Sequence, residues 1–435
     1  MPSEHVRGGM TAVSARGPGA DGTVRGDAVV RRVAEEEFPA WWDTAQIGFL
    51  TPERRGEGPR WRRHVDLGRC WGAFDGPRPL GVLRSKPLDL TVPGGGTVAV
   101  SGLCSAAVLP SHRRQGLLRA LMSAELTAAE ERGEPACALI AAEWPVYGRF
   151  GFGAAAEGAN ITLDAGSARL RPDLSVPDTV RLVDHETFRT EAEAVHERVR
   201  ARVPGAVSRT AEEWHHCARL ALDPGDPPPA DVLYALAHDV DGRATGYVVY
   251  APASRPWTAE RPDHRIDLLE LTGDGPRSEA ALWRFLWEHD WVTQVDAWNR
   301  PVDEPLPWML QDARSMRQIM RSDTLWLRIL SVPGLLSARR YEVSGSLVVR
   351  IRDPRGPADG TYLLEGGPTE ARCVRSTRGA DVTLPVATLA SLYLGSLSAV
   401  RAAQAGLLVE ERAGAVALLD RMFRTALAPW AVTKF

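Results

Sequence analysis

Hydrophobic positions along the first third of the chain change their spacing several times, and each change predicts a different element. Residues 29–42 carry apolar side chains among charged ones, which predicts a surface helix. Residues 70–74 and 79–84 flank an Asp-Gly turn and predict a β-hairpin. A second turn, Pro-Gly-Gly-Gly at 93–96, precedes a long strand over 97–109 that is rich in Val, Leu and Ala.

That long strand leads through a short turn into a helix. Apolar residues between Leu117 and Leu126 fall at helical spacing, and Gly133 is placed to end the helix near residue 132. Residues 137–142 then form a short, fully apolar run of the kind that lies in the centre of a sheet. The order strand, turn, helix, strand predicts one βαβ unit.

A similar order of elements returns further along the chain. Residues 234–238 and 246–251 predict a second hairpin, which precedes a strand at 266–272 and an aromatic helix. No glycine turn suited to a phosphate follows that strand. The last segment opens with a strand pattern at 325–330 and contains a further hairpin. A chain of 435 residues is too long for one hydrophobic core. We therefore predict a flexible tail at 1–25, an N-terminal domain at 26–153, a second domain at 154–322 and a C-terminal domain at 323–435.

Composition and charge argue against several functions. The 52 basic and 55 acidic residues nearly balance, so a net charge of −3 gives no reason to expect a nucleic-acid partner. No apolar run approaches the roughly 18 residues that a membrane span needs, and the first residues lack the apolar stretch of a signal peptide. The scattered cysteines include no Cys-x-x-Cys pair, which supports neither a disulfide framework nor a thiolate metal site and favours a cytoplasmic setting. They are Cys70, Cys104, Cys137, Cys217 and Cys373.

The most informative stretch is the turn between the long strand and its helix. It reads Arg113-Arg114-Gln115-Gly116 and is followed by Leu117, Leu118 and Arg119. The N–H groups in the first turn of a helix point outward and carry the positive end of the helix dipole, so they bind anions. Gly116 permits the close approach of a phosphate, and the arginines add positive charge. A diphosphate is the expected ligand; the other interpretation is a solvated turn at a helix start.

This turn resembles the acetyl-CoA pyrophosphate loop of GCN5-related N-acetyltransferases, although Leu118 replaces the usual small residue at the loop's end. Together with residues 142–153, Ala-Glu-Trp-Pro-Val-Tyr-Gly-Arg-Phe-Gly-Phe-Gly, it resembles the Eis (enhanced intracellular survival) family over nearly the whole chain. The resemblance implies an α/β fold with tandem GCN5-related acetyltransferase domains, each a mixed sheet with helices, the second one degenerate. A sterol-carrier-like α+β domain would follow. The resemblance also implies a homohexamer.

Acetyl-CoA is the co-substrate that the resemblance implies, and no metal is expected. The diphosphate would be held by the turn and the helix start, the pantetheine arm by the end of the long strand, and the acetyl end near residues 142 and 143. In that order, the implied residues are Arg114, Gln115, Gly116, Leu117, Leu118 and Arg119; Ala106, Ala107 and Val108; and Ala142 and Glu143.

Two groups are implied to be catalytic. Tyr147 matches the family's proton donor to the coenzyme sulfur; its alternative role is that of a packed tyrosine in a glycine-rich turn. The implied base is the free C-terminal carboxylate, here on Phe435, whereas the alternative is a frayed chain end. Trp41, Asp43 and Trp61 are candidates for the substrate side, and any of them could instead belong to the core.

The sequence therefore predicts an N-acetyltransferase that moves an acetyl group directly from acetyl-CoA to a primary amine. The acceptor would be a small polyamine- or aminoglycoside-like molecule or a lysine side chain. Lys434 disfavours a polycationic acceptor, and Trp144 is expected to narrow the pocket. The alternative function is a lipid- or hydrophobe-binding protein that uses the C-terminal domain, with the acetyltransferase-like domains as a scaffold.

Overall fold

The computed structural model describes residues 28–223, 226, 229–253, 263–354 and 356–435, so the predicted tail at 1–25 lies outside the described residues. The chain divides into two units. The first consists of the described residues up to Pro87 together with Val100–Cys137, and the second consists of Leu88–Ala99 and Ala138–Phe435. None of the helices in these described ranges is long and apolar enough to cross a membrane.

The first unit is built on a sheet with the strand order β1-β2-β3-β4-β5. Its strands are β1 Val29–Arg32, β2 Cys70–Asp75, β3 Arg78–Thr91, β4 Thr97–Val108 and β5 Ala136–Leu139, the last three running past the limits of the unit. Its helices are α1 Phe38–Gly48, α2 Gly58–Trp61 and α3 Leu117–Glu131. The predicted hairpin, long strand and following helix are confirmed as β2–β3, β4 and α3.

The prediction of one helix over 29–42 is wrong, because the segment starts as strand β1. β1 pairs antiparallel with β2, and this pairing places the guanidinium of Arg31 3.8 Å from the ring centre of Phe74 and that of Arg32 3.6 Å from Trp71. Such cross-strand contacts depend on residues about 40 positions away, which local spacing does not reveal. The helix begins only at Phe38.

The sheet of the second unit has the strand order β12-β6-β11-β10-β9-β8-β7. Alternate residues of β9 face opposite sides, so Val248 and Tyr250 pack with α7, whereas Tyr247 and Val249 pack with α5. The strands are β6 Gly153–Asp164, β7 Thr179–Val183, β8 Leu233–His238, β9 Ala244–Ala253, β10 His264–Gly273, β11 Val292–Arg300 and β12 Met316–Ile329. The helices are α4 Trp144–Tyr147, α5 His185–Arg200, α6 Ala211–Ala218, α7 Pro276–Trp287 and α8 Leu306–Met309.

The C-terminal domain starts later in the chain than predicted, because strand β12 belongs to the second sheet. The predicted boundary between residues 322 and 323 falls inside this strand, which pairs with β6 from Met316 opposite Leu163 to Leu327 opposite Gly153. The strand pattern at 325–330 therefore belongs to the second sheet. The C-terminal domain starts after β12 because a strand cannot be divided between two cores.

The C-terminal part of the second unit carries a separate sheet with the order β15-β14-β13-β16-β17. Its strands are β13 Gly345–Arg352, β14 Gly360–Gly366, β15 Ala371–Arg375, β16 Val382–Pro385 and β17 Val409–Glu410, and its helices are α9 Val332–Ala338, α10 Val386–Tyr393, α11 Ala399–Gln404 and α12 Ala415–Phe423. The fully buried Arg339 donates to the carbonyls of Tyr393 and Phe423, the last residues of α10 and α12. One cation thus satisfies the C-terminal ends of two helices.

Candidate active site

The turn between β4 and α3 has the geometry of an anion site. Arg114 and Gly116 both adopt left-handed backbone angles, with φ values of 63° and 84°. Gly116 is the N-cap of α3 and provides no side-chain cap, so the first amides of this 15-residue helix are available to an external acceptor. Arg113 and Arg114 are exposed beside them. Uncapped amides and exposed guanidinium groups are the chemistry that a diphosphate needs, and the residues present fit it.

The end of β4 is also distorted. Ser105 has a φ of 52°, a left-handed conformation that costs a non-glycine residue free energy and that marks a local irregularity inside a strand. The next residues, Ala106, Ala107 and Val108, are the ones expected to lie along the pantetheine arm. Ala107 is buried, while Ala106 and Val108 are half-buried. Backbone strain therefore lies directly before the predicted coenzyme-binding segment.

Helix α3 is fixed by a buried carboxylate that the sequence analysis did not single out. Glu125 is fully buried, and it accepts hydrogen bonds from the Trp71 indole at 2.7 Å, from Ser101 at 2.8 Å and from Arg132 at 2.6 Å. These partners come from β2, β4 and the residue that ends α3. The sequence contains one sign of this role: Glu125 lies four residues after Leu121, which places an acid on the apolar face of the helix.

Tyr147, in the second unit, lies at the end of the short helix α4. Its half-buried ring makes an edge contact with Phe152 at 6.1 Å between centres. Burial, with a smaller contribution from the negative charge of Glu143, raises the pKa of Tyr147. The phenol therefore keeps its proton at neutral pH and is able to donate it.

Two glycines that follow Tyr147, Gly151 and Gly153, are required for packing. A Cβ on Gly153 would lie 1.9 Å from the carbonyl oxygen of Ala387 in α10. Gly151 has a φ of 82°, and a Cβ there would lie 2.7 Å from a nitrogen of the buried Arg328. These two glycines thus allow the segment after Tyr147 to pack against α10 and the end of β12. Local sequence does not reveal this need for glycine, because the contacts are with residues far along the chain.

The C-terminal end of the chain is docked on the second sheet. Thr433 is buried and Phe435 is half-buried. A cavity of about 210 Å³ lies beside this segment. Its lining includes His216, Cys217, Arg219, Glu270, Trp298, Arg300, Trp430, Val432 and Lys434.

The residues predicted to lie on the substrate side make packing contacts and hydrogen bonds within the first unit. Trp41 is completely buried, and its indole donates to the carbonyl of Trp71 at 2.8 Å. Trp61 is 3% exposed and stacks on Trp42 at 5.3 Å. In this structure both tryptophans belong to the hydrophobic core. Asp43 is half-buried and accepts a hydrogen bond from the amide of Gly56 at 2.9 Å.

The predicted site residues are divided between the two units. The turn and α3 residues Arg114–Arg119, the β4 residues Ala106–Val108 and the substrate candidates belong to the first unit, whereas Ala142, Glu143, Tyr147 and Phe435 belong to the second. Ala142 and Glu143 are exposed.

The corresponding strand-to-helix junction of the second sheet is occupied by the chain's own groups. Between β10 and α7, the carboxylate of Asp274 lies 3.2 Å from Arg198 and 3.4 Å from Arg243. The amide of Gly275 at the helix start donates to Ser278. The groups at this junction are thus already paired within the chain, unlike the uncapped amides at the start of α3.

Comparison with known families identifies the class of protein. Residues 29–155 and 205–329 each match an acetyltransferase (GNAT) domain, and residues 332–432 match a sterol carrier protein domain. The predicted fold class, two acetyltransferase domains followed by a sterol-carrier-like domain, is confirmed. The protein is an N-acetyltransferase.

Whole-chain relatives narrow this class to a family. An uncharacterised N-acetyltransferase of Streptomyces griseus is 37% identical over 92% of this chain and 98% of its own length. The N-acetyltransferase Eis of Mycobacterium tuberculosis is 34% identical over 89% of this chain and 95% of its own length. The crystal structure of Eis1 from Mycobacterium abscessus superposes with a TM-score of 0.79 at 27% identity, covering 93% of this chain and all of that one. The chain belongs to the Eis family of GCN5-related N-acetyltransferases.

Proposed function

We propose that this enzyme transfers the acetyl group of acetyl-CoA directly to a primary amine. The observation that carries the proposal is the uncapped N-terminus of α3, entered through Gly116 and flanked by Arg113 and Arg114. A protein scaffold has no need of an open anion site at this junction, whereas an enzyme that uses a diphosphate-containing coenzyme does. When bound, acetyl-CoA supplies an acetyl group activated as a thioester.

The chain's own residues account for binding of the coenzyme. The amides and side chains of Arg114–Arg119 hold the diphosphate, the backbone of Ala106–Val108 pairs with the pantetheine arm, and Ala142 and Glu143 lie toward the acetyl end. Backbone pairing with an extended ligand gives affinity without demanding particular side chains.

Proton transfer is assigned to two groups of the second unit. Tyr147, whose raised pKa keeps it protonated, donates to the departing sulfur. The carboxylate of Phe435 accepts a proton from the amine, since a chain-terminal carboxyl has an unperturbed pKa near 3.5 and is ionised at neutral pH. A general acid of this kind contributes about 10²- to 10⁴-fold to the rate.

The acceptor is a primary amine of low positive charge or a lysine side chain. The cavity beside the C-terminal segment is lined by Lys434. The arginines and the acid that line it are already paired within the chain: Arg219 with Asp231, Arg300 with Glu304 and Glu270 with Arg209. An aminoglycoside-like polycation that approaches the terminal carboxylate from this side meets the positive charge of Lys434, which disfavours it. Trp144 remains 61% exposed and is available to an acceptor.

Ligand-induced thermal shifts test the coenzyme proposal. Acetyl-CoA is expected to raise the unfolding midpoint, whereas S-acetylpantetheine, which lacks the diphosphate and the nucleotide, is expected to raise it much less. A long-chain fatty acid serves as the comparison ligand for the lipid-binding alternative. A shift with the fatty acid and none with acetyl-CoA would overturn the proposal. Thiol release from acetyl-CoA across polyamines, aminoglycosides, arylalkylamines and lysine peptides then identifies the acceptor class.

We also propose the homohexamer that the family resemblance implies. The described surface exposes several large apolar side chains, among them Trp308 at 81% and Ile319 at 67%, which an assembly would cover. Light scattering coupled to size-exclusion chromatography measures the assembly, and a monomeric mass would contradict the proposal.

A further inference from the structure

The last residues of the chain are anchored on the second acetyltransferase domain. The backbone amide of Trp430 donates to the carbonyl of Pro204 at 2.8 Å, and its indole donates to the carbonyl of Asn299 at 2.8 Å. Four residues later, the amide of Lys434 donates to the sulfur of Cys217 at 3.3 Å. The end of the chain therefore has a defined path up to its penultimate residue.

Between these contacts a buried ion pair reaches the side chain of Thr433. The Thr433 hydroxyl, on a residue that is 1% exposed, accepts a hydrogen bond from Nε of Arg209 at 2.9 Å. The other two guanidinium nitrogens of Arg209 lie 3.0 and 3.1 Å from the carboxylate oxygens of Glu270. Tyr247 donates its hydroxyl to the same carboxylate. The Arg209 and Glu270 side chains are only 1% and 2% exposed.

Such a pair is a means of fixing geometry more than a source of stability. Burying two charges costs desolvation free energy that the ion pair recovers only when its geometry is good, and apolar residues of similar volume often stabilise a core as well. A guanidinium group is planar, so pairing its two terminal nitrogens with a carboxylate also fixes the direction of its Nε–H. Here that direction leads to Thr433.

We propose that Arg209 and Glu270, acting through the Thr433 hydroxyl, position the terminal carboxylate of Phe435 for proton transfer. Phe435 follows Thr433 by two residues, a span of at most about 7 Å, so a shift at Thr433 is passed on to the carboxylate. This inference rests on the proposed role of that carboxylate as the base, and it adds Arg209, Glu270 and Thr433 as positioning residues.

The test uses Thr433→Val, which removes the hydroxyl but keeps the shape and leaves the ion pair in place, with Thr433→Ser as the matched control that retains the hydroxyl. Carboxypeptidase A removes a C-terminal phenylalanine, so mass spectrometry of the intact protein follows the loss of Phe435. We expect Thr433→Val to lose Phe435 at least about tenfold faster than wild type. Its kcat, measured with acetyl-CoA and the fastest amine of the acceptor screen, should fall about ten- to a hundredfold, with an unchanged KM for acetyl-CoA. Thr433→Ser should behave as wild type in both assays.

Release of Phe435 at the wild-type rate from a folded Thr433→Val protein would overturn the proposal. So would faster release together with an unchanged kcat. The second outcome is compared with a chain extended beyond Phe435. If the extended chain is inactive, only the positioning role fails; if it is fully active, the proposed base fails with it.

Discussion

The surroundings of Tyr147 suit its proposed role as a proton donor. Its ring is half-buried against Phe152, and its pKa is raised first by burial and then by Glu143. Both causes disfavour the phenolate, so the neutral phenol, the form that donates a proton, persists over the whole neutral range. The same environment would not suit a base.

Replacing Tyr147 by Phe should lower kcat about 10²-fold, because the proton donor is lost. The affinity for acetyl-CoA should hardly change, since the phenylalanine ring keeps the contact with Phe152. Steady-state kinetics separate the two effects. Tyr234→Phe, which removes a buried hydroxyl that donates to Ala218, is the control for loss of a phenol elsewhere in the second unit. An unchanged kcat in Tyr147→Phe would exclude Tyr147 as the acid.

Glu143→Gln should move the alkaline limb of the kcat profile to lower pH. The negative charge of Glu143 raises the pKa of Tyr147, so removing it lowers that pKa. In the proposed reaction the protonated phenol is the active form, so activity should be lost at a lower pH than in wild type. A pH profile of kcat measures the shift. A shift to higher pH, or none, would show that another group limits the reaction at alkaline pH.

At the scale of elements, helix α3 brings together the chemistry of the turn and the stability of the first unit. Its N-terminus is left open by Gly116, while Glu125 binds its buried face to β2 and β4. The open end is the proposed anion site, and the anchored face keeps that end in place. In the proposed site, binding and packing therefore use different residues of the same helix.

Gly116→Asp should weaken acetyl-CoA binding by at least about a hundredfold, because a carboxylate would face the diphosphate. Gly116→Asn is the matched control, since asparagine has the same size, tolerates the left-handed angle of 84° and carries no charge. It should weaken binding only a few-fold. Isothermal titration calorimetry gives both dissociation constants. Equal losses in the two variants would mean that the added side chain itself, through backbone strain or by capping the helix amides, and not its charge, decides binding at this turn.

Glu125→Ala should lower the free energy of unfolding by about 2–4 kcal/mol, because it leaves the Trp71 indole and the Ser101 hydroxyl without their buried acceptor, whereas Arg132 keeps its ion pair with Glu134. Urea denaturation measures the loss. Glu131→Ala, on an exposed position of the same helix, is the control and should change stability by less than about 0.5 kcal/mol. Comparable stability of the two variants would show that Glu125 does not anchor α3.

At the scale of the whole molecule, the chain end is part of the proposed catalytic apparatus although it follows the sterol-carrier-like domain. The last helix of that domain, α12, ends at Phe423, and the residues after it contact the second acetyltransferase domain. A terminal carboxylate can act as a base only if nothing follows it. The proposed reaction therefore depends on the position of the last residue as well as on the fold.

A short Gly-Ser extension after Phe435 should lower kcat about 10²-fold, because it replaces the terminal carboxylate by a neutral amide. The same extension at the N-terminus is the control and should leave activity unchanged. Thiol release from acetyl-CoA measures both proteins. Full activity of the C-terminally extended protein would refute the role of the Phe435 carboxylate.

Local patterns predicted much of this fold. The hairpin β2–β3, the strand β4, the turn and helix α3 were all predicted because turn residues and apolar spacing act over a few positions. The proposed coenzyme turn can be recognised from the sequence for the same reason, because an anion site at a helix start needs only neighbouring residues. The proposed role of Tyr147 came from family resemblance.

Features that depend on distant partners were decided by the tertiary structure. β1 is a strand because Arg31 and Arg32 meet aromatic rings of β2, and β12 joins the second sheet because β6 pairs along its length. Trp41 and Trp61 lie in the hydrophobic core because Trp71 and Trp42 contact them there. The path of the chain end depends on Arg209, which lies more than 200 positions before Thr433. The short-range elements and the proposed anion-binding turn follow from neighbouring residues alone. Strand pairing, burial and the place of the C-terminus arise only when residues remote in the chain come into contact.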